Sequence, residues 1–186
     1  MDSFAQAIRS IEKHAYNYEE LRHLVMSSKQ EGVKLRFVNF SGLPKVLTPA
    51  HFLPGKFNAA LVLLHLKNHS ASSYHWITIF NSGSGMVYFD SLGLTEHELT
   101  MTLGDARLVT FLKHNKVKIG SRKVQKRAGE MLTCGAHVAC RVIFGWTMNN
   151  SQYTKALRSL GPDTDKTVTL MTALPTWPFN LKPSAA

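Results

Sequence analysis

A histidine and an aspartate stand at matching ends of a hairpin pattern, and a cysteine opens a helix pattern further along. The first two, His75 and Asp90, lie in "SYHWITIFNSGSGMVYFDSLG" (Ser73–Gly93), and the third is Cys134 in "TCGAHVAC". A carboxylate beside a neutral imidazole fixes its tautomer and raises its basicity. A thiol at a helix N-terminus meets partial positive charge and orphan backbone N–H groups, which lower its pKa and offer a place for an oxyanion. An imidazolium neighbour would complete a thiolate nucleophile.

The hairpin has to supply the first contact. "NSGSG" (Asn81–Gly85) is a turn cluster between two apolar runs. With Asn81–Ser84 as the loop, Phe80 pairs with Gly85, and the same register sets His75 opposite Asp90 on one face, Cβ atoms about 4.5–5.5 Å apart. Ile77/Tyr88 and Ile79/Met86 then share that face, and Trp76/Phe89 and Thr78/Val87 the other. Both faces are apolar, so the sheet is expected to be covered on both sides. A two-residue change in pairing keeps the face and stretches the contact, whereas a one-residue slip separates the pair. Taken alone, the hairpin fits a structural His–Asp pair at a sheet end better than a catalytic one.

Cys140, the only other cysteine, lies about 240° around the same helix from Cys134. A disulfide between them is not expected, and two free thiols suit a reducing intracellular compartment. Cys134, His137 and Cys140 lie three apart, but Cys140 faces away and no second ligand pair completes a tetrahedral site, so no metal is expected. Gln125 is the only glutamine within fifty residues upstream of Cys134. Its amide suits an oxyanion donor, and its place in a basic stretch also suits simple exposure.

Around these residues the spacing predicts two N-terminal helices within residues 1–30, the first carrying Phe4, Ile8 and Ile11 under a cap at Asp2 or Ser3, the second Leu21, Leu24 and Val25. A strand over Val33–Phe40 and a Pro/Gly-broken connection follow. Further strands are expected over Ala59–Leu66, Tyr74–Phe80 and Met86–Asp90, with a short one over Val117–Val124. Thr95 and Glu98 form a capping box that opens a helix. A helix from Thr133 and a last one capped by Ser151 and stopped by Gly161 complete the pattern, before an extended tail over 175–186. The fold class expected is α+β in a single domain, 1–186.

The chain has 186 residues, 22 Lys and Arg against 12 Asp and Glu, a net charge of +10 and a pI near 9.8. That balance favours a polyanionic partner, most simply nucleic acid. Seven of the bases, Lys113, Lys116, Lys118, Arg122, Lys123, Lys126 and Arg127, fall in one run without an acid. Such a run is either a DNA- or RNA-binding surface or a solvated face. The longest strongly apolar run, "AALVLLHL", is too short to span a bilayer, and no secretory signal is expected.

In chain order the sequence presents His-Trp on a strand, a hairpin ending in Phe-Asp-Ser-Leu-Gly, a Gln, and Cys-Gly opening a helix. That combination resembles the adenovirus-type maturation proteases (adenain-like), within the wider Ulp-type cysteine peptidases that remove ubiquitin-like modifiers. The match covers Tyr74–Gly93 and Gln125–Phe144. The resemblance implies a papain-like arrangement with the nucleophile helix central and a mixed or antiparallel sheet against it. It implies His75 as general base, Asp90 as its orienting acid, Cys134 as nucleophile and Gln125 as oxyanion donor, with Trp76 beside the histidine and Gly135 behind the nucleophile. The activity implied is cleavage of viral precursor proteins beside glycine by a monomer needing no cofactor. DNA, and in adenovirus a short viral peptide, serve as activators, and the virion and host nucleus are the implied locations. Two departures stand out. Gln125 precedes Cys134 by nine residues, a longer gap than is usual, with extra loop residues around Gly129 to absorb it. No cysteine lies upstream of Cys134, which closes the disulfide route of peptide activation.

Two other readings compete. One is a deconjugating isopeptidase of the same superfamily acting on ubiquitin-like tails. The other is a non-enzymatic, basic nucleic-acid-binding virion protein on which the His/Asp/Cys geometry is incidental.

Overall fold

A run of apolar residues without alternation forms a strand that is buried on both faces. "AALVLLHL" does so as β2 (Ala59–Leu66), at the middle of a four-stranded sheet. A computed structural model describes residues 3–28, 32–67, 73–82, 85–119, 122–126 and 132–173. It contains α1 (Ser3–Glu12), α2 (Tyr18–Ser27), β1 (Leu35–Asn39), α3 (Pro49–Phe52), β2, β3 (Ser73–Asn81), β4 (Met86–Phe89), α4 (Glu96–Leu103), α5 (Arg107–His114), α6 (Cys134–Gly145), α7 (Asn150–Leu160) and α8 (Thr164–Ala173). The strand order is β1-β2-β3-β4, with β1 and β2 parallel and the other pairs antiparallel, so the protein is α+β with a mixed sheet.

Both faces of the sheet are covered, as the two apolar sides of the hairpin require. Leu61, Trp76, Phe80 and Phe89 pack against α2, α6, α7 and α8 through Leu21, Val138, Tyr153 and Val168. Val62, Leu64, Ile77, Ile79 and Tyr88 pack on the other side against Phe52, Leu99, Leu108 and Leu112. α6 lies on β3 and carries α2 and α8 on its other sides. Its residues are buried almost throughout, which makes it the central helix of its layer.

The capping box at Thr95 forms as expected, Thr95 Oγ1 accepting from the Glu98 backbone N–H while the Glu98 carboxylate accepts from the Thr95 N–H at 2.9 Å. Several expectations need correction. The β3/β4 register pairs Asn81 with Met86 and Thr78 with Phe89, not Phe80 with Gly85. Asn81 is therefore part of the ladder, not of the loop; Gly83 and Ser84 lie outside the described residues. Val117–Val124 contains no strand among its described residues. Val117 instead donates its N–H to Leu112 O at the end of α5 and buries its side chain with the helices. α7 is capped by Asn149, whose side chain accepts from Gln152 N, so Ser151 is inside the helix. α7 is also not the last helix, because Asp163 restarts the chain after Gly161-Pro162 and α8 follows. The Asp2 cap, Arg127, Gly129 and the tail over 175–186 fall outside the described residues.

Candidate active site

β4 ends at Phe89, opposite Thr78, so the Ser73–Ile77 half of β3 has a strand partner on the β2 side and none on the other among the described residues. The start of α6 comes up to that half. The Cys134 sulfur lies within electrostatic reach of the His75 imidazole and of the Trp76 and Gly135 backbone N–H groups. A strand end left open by a short neighbour is what allows a helix terminus to meet a strand side chain.

The register shift moves Asp90 off the position opposite His75, yet it keeps the two on one face, and the contact closes diagonally. His75 Nε2 lies 2.7 Å from Asp90 Oδ1, with both side chains buried. Asp90 follows the last residue of β4, and its carboxylate turns back over the next turn. It accepts the backbone N–H of Leu92 at 2.9 Å on Oδ1 and that of Leu94 at 2.9 Å on Oδ2. "SLG" in "FDSLG" thus builds the cradle for the acid.

With Nε2 committed to Asp90, Nδ1 is the nitrogen left for the sulfur. Burial opposes charge on the imidazole, but the Asp90 carboxylate, its hydrogen bond and the Cys134 sulfur push His75 up to about 10. Burial likewise opposes the Cys134 thiolate, and the His75 imidazolium together with the Trp76 and Gly135 N–H groups brings the thiol below its ordinary range. Burial raises the Asp90 carboxyl, and His75 with the two backbone donors lowers it overall. All three shifts favour the charged forms, a thiolate with an imidazolium beside a carboxylate. Cys140, further along α6 and fully buried, is pushed well up by burial.

Cys134 is the first residue of α6, where the N–H groups of the first turn have no intrahelical acceptor. Thr133, at the capping position, does not cap the helix, because its hydroxyl is donated to Asp165 Oδ1 at 2.5 Å. Gly135 is required by the N-terminal segment that crosses it: a Cβ there would stand 2.7 Å from Tyr16 Cβ. The Trp76 indole donates to the Tyr16 carbonyl at 3.0 Å. Cys134 is left 9% exposed.

Gln125 is not the exposed side chain that its basic surroundings allow. It is 5% exposed, and Ser91, the neighbour of Asp90, holds it twice. The Ser91 hydroxyl donates to Gln125 Oε1 at 2.7 Å, and the Ser91 carbonyl accepts the N–H groups of Val124 and Gln125 at 2.9 Å each. An amide whose oxygen is claimed by Ser91 presents its NH2 group away from Ser91, with donors only.

The basic run is broken up. Lys113 pairs with Glu96 at 2.5 Å and Lys126 with Asp163 at 2.6 Å. Lys116, Lys118, Arg122 and Lys123 are exposed. Lys118 and Arg122 line a cleft of about 490 Å³ with Tyr88 and the start of α7 at Asn149–Ser151, and none of the four candidate catalytic residues lines it. Among the described residues no cluster of side chains could hold a metal ion, and no helix is long and apolar enough to cross a membrane.

Sequence reasoning missed Ser91, Tyr16 and Asp165, and treated His137 only as a metal ligand. Ser91 had a signal, its place beside Asp90. Tyr16 and Asp165 had none, because their roles come from segments that meet the site only in the folded chain. No family model, curated protein or solved structure matches the chain.

Proposed function

We propose that the chain is a cysteine endopeptidase with the papain-like arrangement of the Ulp-type peptidases, and within them a maturation protease of the adenovirus type that cuts viral precursor proteins beside glycine. The observation that carries this is the His75 imidazole between the Asp90 carboxylate and the Cys134 sulfur at the start of α6. The closed approach supports glycine at the cleavage site. Cys134 and His75 are 9% and 2% exposed, and Tyr16 crosses closely over Gly135, so a strand without side chains is what fits.

In this reaction the Cys134 thiolate adds to the scissile carbonyl carbon, and the carbonyl electron pair moves to oxygen. The Cys134 N–H and the Gln125 amide hold the oxyanion. On collapse the C–N bond breaks, and His75 gives its proton to the leaving amine. Water then attacks the thioester with His75 as base, releasing the acid and restoring the thiolate. The chemistry needs no cofactor. Lys116, Lys118, Arg122 and Lys123 are the exposed bases available to DNA, which would concentrate the enzyme on packaged precursors.

Alkylation by iodoacetamide at pH 6, with and without duplex DNA, tests the reading without knowledge of the substrate. Cys134 is expected to label about 10²-fold faster than Cys140 and to lose that advantage in His75→Ala. Equal, slow labelling of both thiols under every condition would leave a basic binding protein.

A further inference from the structure

Eight residues, Lys126–Thr133, separate Gln125 from Cys134, and a connection that long does not by itself hold its ends together. Both ends are tied to one side chain. Asp165, in the first turn of α8 and fully buried, accepts the Lys126 backbone N–H on Oδ2 at 2.9 Å and the Thr133 hydroxyl on Oδ1 at 2.5 Å. His137 Nε2, one turn along α6 from Cys134, lies 3.0 Å from the same Oδ1. Asp165 does not cap its own helix; that is done by Asp163, whose Oδ1 accepts the Lys166 N–H at 3.3 Å. The neighbouring Thr164 hydroxyl donates to the Val124 carbonyl. The peptides on both sides of Gln125 are therefore pinned by α8, and Thr133, the residue before the nucleophile, is pinned by the same carboxylate. A buried carboxylate is costly unless several donors surround it, and these donors come from the two segments that must stay in register.

We propose that Asp165 is a positioning residue that sets the Gln125 amide against the Cys134 N–H, making one oxyanion site across the long connection. This rests on the protease reading above. Asp165 touches neither the thiolate nor the substrate; it acts through Lys126 and Thr133. It should therefore leave nucleophile activation alone and govern the stabilisation of a tetrahedral oxygen. Replacing the carboxylate with an amide puts a donor where one of the three donors needs an acceptor.

Acetyl-glycyl-glycinal separates the two properties. Its aldehyde carbon accepts the Cys134 sulfur, the C=O electron pair moves to oxygen, and that oxygen takes the His75 proton, giving a reversible hemithioacetal with no leaving group. Its affinity is read from protection of Cys134 against iodoacetamide. In Asp165→Asn, labelling without aldehyde is expected within about threefold of wild type, since His75 and Asp90 are untouched. Aldehyde affinity is expected to fall about 10- to 100-fold, as in Gln125→Ala, and the double variant to lose no more than either single one. Thr133→Val should show the same split and Thr133→Ser should restore wild-type affinity. Wild-type affinity in Asp165→Asn, additive losses in the double variant, or labelling that falls in step with affinity would each overturn the proposal. So would failure of both Asp165→Asn and Thr133→Val to fold, which makes the clasp a support of the fold alone. Wild-type Cys134 labelling no faster than Cys140 would instead sink the protease reading itself.

Discussion

Two buried His–Asp pairs lie within reach of α6, and they behave oppositely. In His75–Asp90 the separation is 2.7 Å and the imidazole is raised to about 10; in His137–Asp165 it is 3.0 Å and the imidazole is lowered. Burial lowers both. What separates them is the rest of each environment. Asp90 and Asp165 each accept from two groups besides their histidine, but the His75 imidazole gains a second anion in the Cys134 sulfur. Asp165 is shared with Thr133 and Lys126, and His137 has the positive His75 nearby. The same two residue types thus hold one imidazole toward its charged form and the other toward its neutral form. A His–Asp pair carries no function by itself; the third partner assigns it.

The sharpest way to break that contrast is to remove one histidine at a time. His75→Ala should slow iodoacetamide labelling of Cys134 at pH 6 by about 10²-fold, the loss that follows when a thiolate reverts to a thiol with pKa near 8.5. His137→Gln, which keeps a donor for Asp165, should stay within about threefold. Equal losses would erase the distinction.

Stability against pH comes next. His75 is raised, so alone it would stabilise the fold below about 6.5 and lose that contribution as pH rises through about 10. Cys134 is lowered, so its contribution is present above the unfolded value of about 8.5 and is lost as pH falls through its folded pKa. Where the pH is above about 6.5 and above the lowered folded pKa of Cys134, and still below about 8.5, the folded pair holds one proton and so does the unfolded pair, on opposite residues, and the two slopes cancel. Urea unfolding should therefore show no pH dependence from this pair across that window. In Cys134→Ala the His75 slope is unmasked, and stability should decline with rising pH by up to about 1.4 kcal/mol per unit. A Cys134→Ala curve parallel to wild type would mean that thiol and imidazole are both neutral in the fold.

A smaller effect is expected from Gly135→Ala. The new methyl would press on Tyr16 at 2.7 Å, at a cost of about 1–3 kcal/mol in thermal unfolding, with slower entry of acetyl-glycyl-glycinal. An unchanged melting temperature would show that the Tyr16 segment moves aside freely. Ser91→Ala should be mildest, about 1 kcal/mol for one hydrogen bond, with a weaker hold on the Gln125 amide. If aldehyde affinity is untouched in Ser91→Ala, the orientation of that amide is set elsewhere.

Local chemistry made much of this legible. Ala59–Leu66 is a strand because eight mostly apolar residues bounded by turn material have no helical stripe, and its bounds were readable to the residue. Thr95 and Glu98 close a capping box within four positions, and Cys134 opens its helix where the sequence places it. The missed elements carry weaker local marks. α8 is "TDKTVTLMTA", four of whose ten residues are threonine, a β-branched type that blurs a helical period. α5 has a clean apolar face at Leu108, Phe111 and Leu112, but its cap is Ala106, which makes no side-chain bond.

Which residue types are candidates for chemistry, and on which kind of element each stands, was determined by the sequence itself, since propensity, periodicity and capping act over a few neighbours. Three things were decided only when the chain closed on itself. The register of β3 on β4 came out two residues away from the simplest loop, because side-chain packing on both faces, not the turn alone, selects the pairing. Ser91 reaches Gln125 across 34 positions, and Asp165 reaches Thr133 across 32 and Lys126 across 39. Contacts at such separations leave no periodic mark in the sequence. They exist because the sheet and α6 form a frame in which distant segments meet, and a buried carboxylate keeps its charge only where those segments supply its donors.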